Sequence, residues 1–89
     1  MDVQHDTQAQ EFTTEVDGHR AELQYRLRDG VMTITHTGVP DEIGGRGVAA
    51  ELTRVALETA RANGWKVVPA CAYADAFMRR HREYQDLLR

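Results

Sequence analysis

One cysteine, Cys71, stands alone in a chain of 89 residues. It cannot close an intramolecular disulfide and has no cysteine partner for a zinc cluster. His5 and His19 have no ligand-type neighbours at metal-site spacing, so no metal is expected. No apolar run approaches the roughly 18–20 residues needed to span a bilayer. The opening stretch MDVQHDTQAQ has no apolar core of the kind that marks a secretory signal. A basic excess is also missing. The formal net charge is −3, which argues against a dedicated nucleic-acid binder. The expectation is a cytoplasmic protein that engages neither nucleic acid nor membrane.

The length suits one domain and not two. Residues 1–10 are polar and aperiodic, and read as a flexible start; residues 11–89 read as a single domain. Glu11 to Val16 is short and β-prone, and Asp17-Gly18 signals a hairpin turn. Ala21, Leu23, Tyr25 and Leu27 alternate with Glu22, Gln24, Arg26 and Arg28, the period of a half-buried strand. Asp29-Gly30 marks the next turn. Val31 to Thr37 is rich in β-branched residues, with Met32, Ile34 and His36 expected on one face. From Val48 the period becomes helical, through Leu52, Val55, Ala56, Thr59 and Ala60, and Asn63-Gly64 stops the helix. WKVVPAC, residues 65–71, reads as a short buried strand ended by Pro69. Residues 73–80 and 83–88 read as one helix or two short ones. The element order is β-β-β-α-β-α, an α+β domain with a mostly antiparallel sheet.

Between the third strand and the first helix lies EIGGRGV, residues 42–48. Glycine near a helix costs roughly 0.5–1 kcal/mol against alanine, so several together need a reason. The first amides of a helix have no intrahelical partner, and the macrodipole adds positive charge there. Glycines let a phosphate reach those amides. Arg46 adds a guanidinium for a charge-assisted contact. The GxxxxGK[ST] pattern of a P-loop is absent. GRGVAA matches the dinucleotide fingerprint G-x-G-x-x-A, but the acidic residue that should follow about 20 positions on is missing. The pyrophosphate loop of acetyl-coenzyme A transferases fits at Gly45 and Gly47, with Glu42 where Gln or Arg is usual. The alternative is a loop whose glycines only shape a tight turn.

Residues 31–88 carry four motifs in order: His36-Thr37-Gly38-Val39-Pro40, Gly45-Arg46-Gly47, Val67-Val68-Pro69-Ala70-Cys71-Ala72-Tyr73 and His81-Arg82-Glu83-Tyr84. Together they resemble the small single-domain GNAT-like N-acetyltransferases of the YjdJ type. The resemblance implies a minimal GNAT fold with a splayed strand pair. It also implies binding of acetyl-CoA and transfer of an acetyl group to an amine on a small molecule or a protein. Two positions depart from the pattern. Gly38 replaces an acidic residue, and Arg82 replaces the proline of the last motif.

By this resemblance the backbone from Ile43 to Val48, including Gly44, Gly45, Arg46 and Gly47, holds the CoA pyrophosphate. Amides near Val39 polarise the thioester carbonyl. The split between the third strand and the WKVVPAC strand takes the pantetheine arm. Three side chains are candidates for chemistry. An imidazole titrates near neutral pH, so His36 suits a general base; the alternative is a hydrogen-bonded structural histidine. Cys71 is a nucleophile, a neighbour of the CoA sulfur, or plain core. Tyr73 is the acid for the departing thiolate, or a packed ring. The Arg79–Arg82 run is a solvated face or a partner for the CoA 3′-phosphate. A CoA- or acyl-CoA-binding module with little turnover is the main rival to an enzyme. The oligomeric expectation is a monomer or a weak homodimer.

Overall fold

The computed structural model describes residues 1–89. Strands β1 (Gln4–Asp6), β2 (Glu11–Val16), β3 (His19–Arg28) and β4 (Val31–Gly38) form an antiparallel meander. A 3₁₀ turn over Asp41–Ile43 leads into helix α1 (Val48–Asn63). Strand β5 (Lys66–Pro69) then pairs parallel with β4. Helix α2 (Ala72–Arg80) and a 3₁₀ segment over Arg82–Leu87 complete the chain. The sheet order is β1-β2-β3-β4-β5. This is the α+β architecture expected, with one strand more at the start.

Both Asp-Gly pairs turn as the sequence predicts. Asp17 and Gly18 have φ of 50° and 77°, and Asp29 and Gly30 have 52° and 75°. Positive φ at both central residues matches the right-handed twist of the flanking strands. One face of the sheet carries Phe12, Ala21, Leu23, Tyr25, Met32, Ile34 and Val67, all buried. Leu52, Ala56, Leu57 and Ala60 of α1 and Ala74, Phe77 and Met78 of α2 close the same core. The alternating residues Glu22, Gln24, Arg26 and Arg28 point away from it, so the second face of the sheet is polar and uncovered.

The flexible start expected over residues 1–10 is corrected by β1, which pairs with β2 from Gln4↔Thr13 to Asp6↔Glu11. Its anchors are distant in sequence. His5 stacks on Phe12 with ring centroids 4.0 Å apart, and its Nε2 meets the Tyr25 hydroxyl at 2.6 Å. The Thr14 hydroxyl donates to the Asp2 carbonyl at 2.8 Å. A three-residue edge strand has no periodicity of its own to read.

A second correction concerns β4. Gln24 pairs with His36 and Tyr25 with Ile34, which leaves Thr35 without a partner. This β-bulge switches the alternation. Met32 and Ile34 face the core, but His36 turns to the uncovered face and Thr37 to the helix side. Strand β5 ends at Pro69, as the proline predicts. Its last link to β4 is the Ala70 N–H donating to the Ile34 carbonyl at 2.9 Å. No backbone bond joins the two strands beyond that point, so β4 and β5 fork where the bulge lies.

Candidate active site

The glycine loop is pinned at its start and open at its end. Ile43 is fully buried, and its N–H donates to the Pro40 carbonyl at 3.1 Å. The Gly44 N–H donates to the Asp41 carbonyl at 3.0 Å. Gly45 and Gly47 then take φ of 75° and 78°, a left-handed conformation that costs an L-residue energy. Gly47 is the N-cap of α1, with no side chain capping it. The next internal bond runs from the Glu51 N–H to the Gly47 carbonyl at 3.0 Å. Every amide from Gly45 through Ala50 therefore donates to no protein acceptor. They lie at the positive end of a 16-residue helix.

These amides border a cavity of about 250 Å³ lined by Val39, Ile43, Gly44, Gly45, Gly47, Val48, Ala49, Ala50 and Tyr73. Most of the residues expected around the pyrophosphate thus share one hollow with Tyr73. Two further hollows, of about 110 and 210 Å³, border it on the α2 side. Ala50 lines all three, so together they wrap the first turn of α1. Arg80 and His81 line the smaller, and Glu51, Arg54 and His81 the larger. Ala49 and Ala50 escaped the sequence reading. Their signal there is small size just after Gly47 and Val48, with Ala50 the final position of the GRGVAA match.

Arg46 leans the other way. Its guanidinium pairs with the Asp17 carboxylate at the tip of the β2–β3 turn. Both side chains are well exposed. Val39 follows the fork directly, lines the cavity, and its N–H also has no protein acceptor.

Cys71 is the N-cap of α2, and its Sγ accepts from the Ala74 N–H at 3.4 Å. The Thr37 hydroxyl lies 3.5 Å from the same sulfur across the fork. Thr37 was missed by the sequence reading, because only the bulge brings it to this side. Tyr73 follows in the first turn of α2, its ring tilted against Phe77. Burial pushes the Tyr73 hydroxyl up from its ordinary value, with Arg80 pulling against that shift.

His36 does not join Cys71. Its Nε2 lies 3.5 Å from Glu22 Oε2 on the uncovered face. A Cβ at Gly38 would stand 2.9 Å from that Nε2, so the imidazole occupies the space a side chain at position 38 would need. Glu22 is the register partner of Gly38. A carboxylate from β3 thus lies beside the position where the resemblance leads one to expect an acidic residue. In the Arg79–Arg82 run, Arg79 pairs with Asp75 at 3.0 Å, while Arg80 borders the hollow beside Tyr73. No three His, Cys, Asp or Glu side chains converge to hold a metal ion. No helix is long and apolar enough to cross a membrane.

The chain is similar to several known proteins. Protein NATD1 of Gallus gallus is 30% identical over 82 residues, spanning 89% of this chain and 74% of that protein. Protein NATD1 of Homo sapiens is 31% identical over 80 residues, spanning 86% and 71%. A GCN5-like protein from Staphylococcus aureus, determined by NMR in solution, aligns with a TM-score of 0.78 and 32% identity, covering 99% of this chain and 87% of that one. The family model for the GCN5-related N-acetyl-transferase matches residues 11–87. The chain belongs to the GCN5-related N-acetyltransferase family.

Proposed function

We propose that the protein is an acetyl-CoA-dependent N-acetyltransferase acting on an amine. The observation that carries this is the run of unpartnered amides from Gly45 to Ala50, opening onto the cavity that reaches Val39 and Tyr73. Amides at a helix N-terminus bind phosphate oxygens, and the glycines leave room for close approach. Arg46 exchanges Asp17 for a phosphate when the loop is filled.

Acetyl-CoA supplies an activated thioester. The chain supplies its binding and polarisation. The apolar stretch of the cavity from Ala50 to Val39 directs the acyl arm toward the fork. The Val39 N–H donates to the carbonyl oxygen where negative charge develops. Tyr73, whose hydroxyl is protonated at neutral pH like any tyrosine's, donates that proton to the departing thiolate. His36 acts as the base for the amine from the uncovered face. Cys71 either packs beside the sulfur or accepts the acetyl group before it passes on. Nothing at Cys71 resembles a thiol–imidazole pair, and its hydrogen bonds go to Thr37 and Ala74. Direct transfer is the simpler route on that geometry.

The second reading is a CoA- or acyl-CoA-binding module with little turnover. The uncovered face favours it, because no helix or strand builds a wall for an acceptor there. A cytoplasmic location, and a monomer or a weak homodimer through the exposed β1 edge, are part of the same proposal.

An amide-NMR titration with acetyl-CoA, followed by intact mass after removal of free ligand, tests the reading. Shifts centred on Gly45 to Ala50 are expected. One added acetyl mass that disappears in C71A establishes a covalent route. Shifts without turnover of any amine favour the binding module. No shift at millimolar acetyl-CoA overturns both readings.

A further inference from the structure

The uncovered sheet face carries a pair of side chains that the cavity on the other face does not use. Glu22 Oε1 is committed to Arg20 Nη1 at 3.1 Å, and Arg20 Nη2 is held by Glu11 at 2.8 Å. Glu22 Oε2 points to His36 Nε2 at 3.5 Å. Gly38 lies beside the pair: a Cβ there would stand 2.9 Å from His36 Nε2 and 3.8 Å from Glu22 Cγ. Glu22 is the less exposed partner, at 28% against 52% for His36. The pair lies at the end of β4 that has parted from β5. One strand position away, Thr37 faces the opposite side and meets Cys71.

We propose that Glu22 is the acceptor-side positioning residue: it orients the His36 imidazole on the uncovered face and draws a primary ammonium group to the fork between β4 and β5. The proposal rests on the reading of the chain as an acetyl-CoA-dependent N-acetyltransferase. A carboxylate attracts a cation, and Glu22 lies within ion-pair range of the imidazole when His36 carries a proton. An amine arriving on this face meets the thioester across the fork, so donor and acceptor enter from opposite sides of one sheet.

The proton balance closes on these groups. The ammonium gives one proton to neutral His36, and the imidazolium that forms is paired with Glu22. The amine lone pair forms the C–N bond, and the C–S bond breaks with its electrons on sulfur. The second amine proton passes to that sulfur through Tyr73, and His36 releases its proton to solvent. Amide, free thiol and one proton are the products.

The test uses 1,4-diaminobutane as the amine and n-butanol as an uncharged control, with acetyl-CoA saturating. E22Q is expected to raise the amine KM by about tenfold, the scale of one charge-assisted hydrogen bond, with the KM for acetyl-CoA unchanged. E22D restores most of the loss, which a merely structural role for Glu22 does not predict. H36Q lowers kcat instead. If turnover is too slow to measure, the amides of His36 and Gly38 must still shift with the diamine, not with the alcohol, and lose that response in E22Q. An amine KM or amide response indifferent to E22Q, with normal acetyl-CoA shifts at Gly45 to Ala50, overturns the proposal alone. Loss of the acetyl-CoA shifts in the unmodified protein overturns the underlying reading, and the proposal with it.

Discussion

The hydroxyl of Thr37 and the sulfur of Cys71 meet at 3.5 Å across the fork in the sheet. They are neighbours because a bulge at Thr35 turns Thr37 toward the helices. Cys71 caps α2 as well as facing the fork, so its structural and chemical roles separate by substitution. Serine is a stronger N-cap than cysteine, and alanine has no acceptor. C71S is expected to keep or raise Tm, whereas C71A loses about 0.5–1 kcal/mol of stability. Both remove any cysteine-bound acetyl group. Thermal unfolding alongside intact mass checks this; equal Tm values for the two variants would show that the cap contributes nothing.

Gly47 and Gly64 bracket α1, and both are left-handed, with φ of 78° and 72°. A Cβ meets no protein atom within 4 Å at either position. Alanine therefore brings backbone strain at both, about 1–2 kcal/mol each. Only at Gly47 does the new methyl also enter the cavity. G47A and G64A are expected to lower Tm similarly, by roughly 4–8 °C per kcal/mol lost. Acetyl-CoA affinity should fall in G47A alone. Calorimetric titration of both variants decides this, and equal affinities would remove Gly47 from the phosphate site.

The pairing of Arg46 with Asp17 sets a competition between a carboxylate and an incoming phosphate. Exposed ion pairs contribute about 0.2–1 kcal/mol. D17N tolerates the left-handed turn and frees Arg46. It is expected to tighten acetyl-CoA about two- to fivefold, while R46Q weakens it. Added salt should shrink the difference between D17N and the unmodified protein. A D17N affinity that is unchanged at low salt refutes the competition.

His5 carries a pH dependence for β1. Burial lowers its pKa below the usual 6.5, with Asp6 acting in the opposite direction. A depressed histidine stabilises the fold above its unfolded pKa, because the folded state favours the neutral ring. That contribution is lost as pH falls below about 6.5, where the unfolded chain takes up the proton first. Hydrogen-exchange protection at Gln4 to Asp6 is expected to drop between pH 7.5 and pH 5. H5Q, which keeps a polar partner for Tyr25 without titrating, should show a flat profile. The same drop in H5Q would assign the effect to another group.

Local signals were legible in the chain itself. Alternation in Ala21–Leu27 marks β3, two Asp-Gly pairs mark the hairpin turns, and helical spacing from Val48 to Ala60 marks α1. The glycine loop with its helix start was equally readable, because amide exposure at a helix N-terminus follows from local backbone geometry. The tertiary structure alone decided which face His36 uses, that β1 exists, and that Arg46 turns to Asp17. Each depends on residues far apart in sequence. A one-residue bulge reverses every side chain beyond it, and a short edge strand is held by rings from other strands. Single-strand periodicity contains neither fact, since both arise only when the strands are paired.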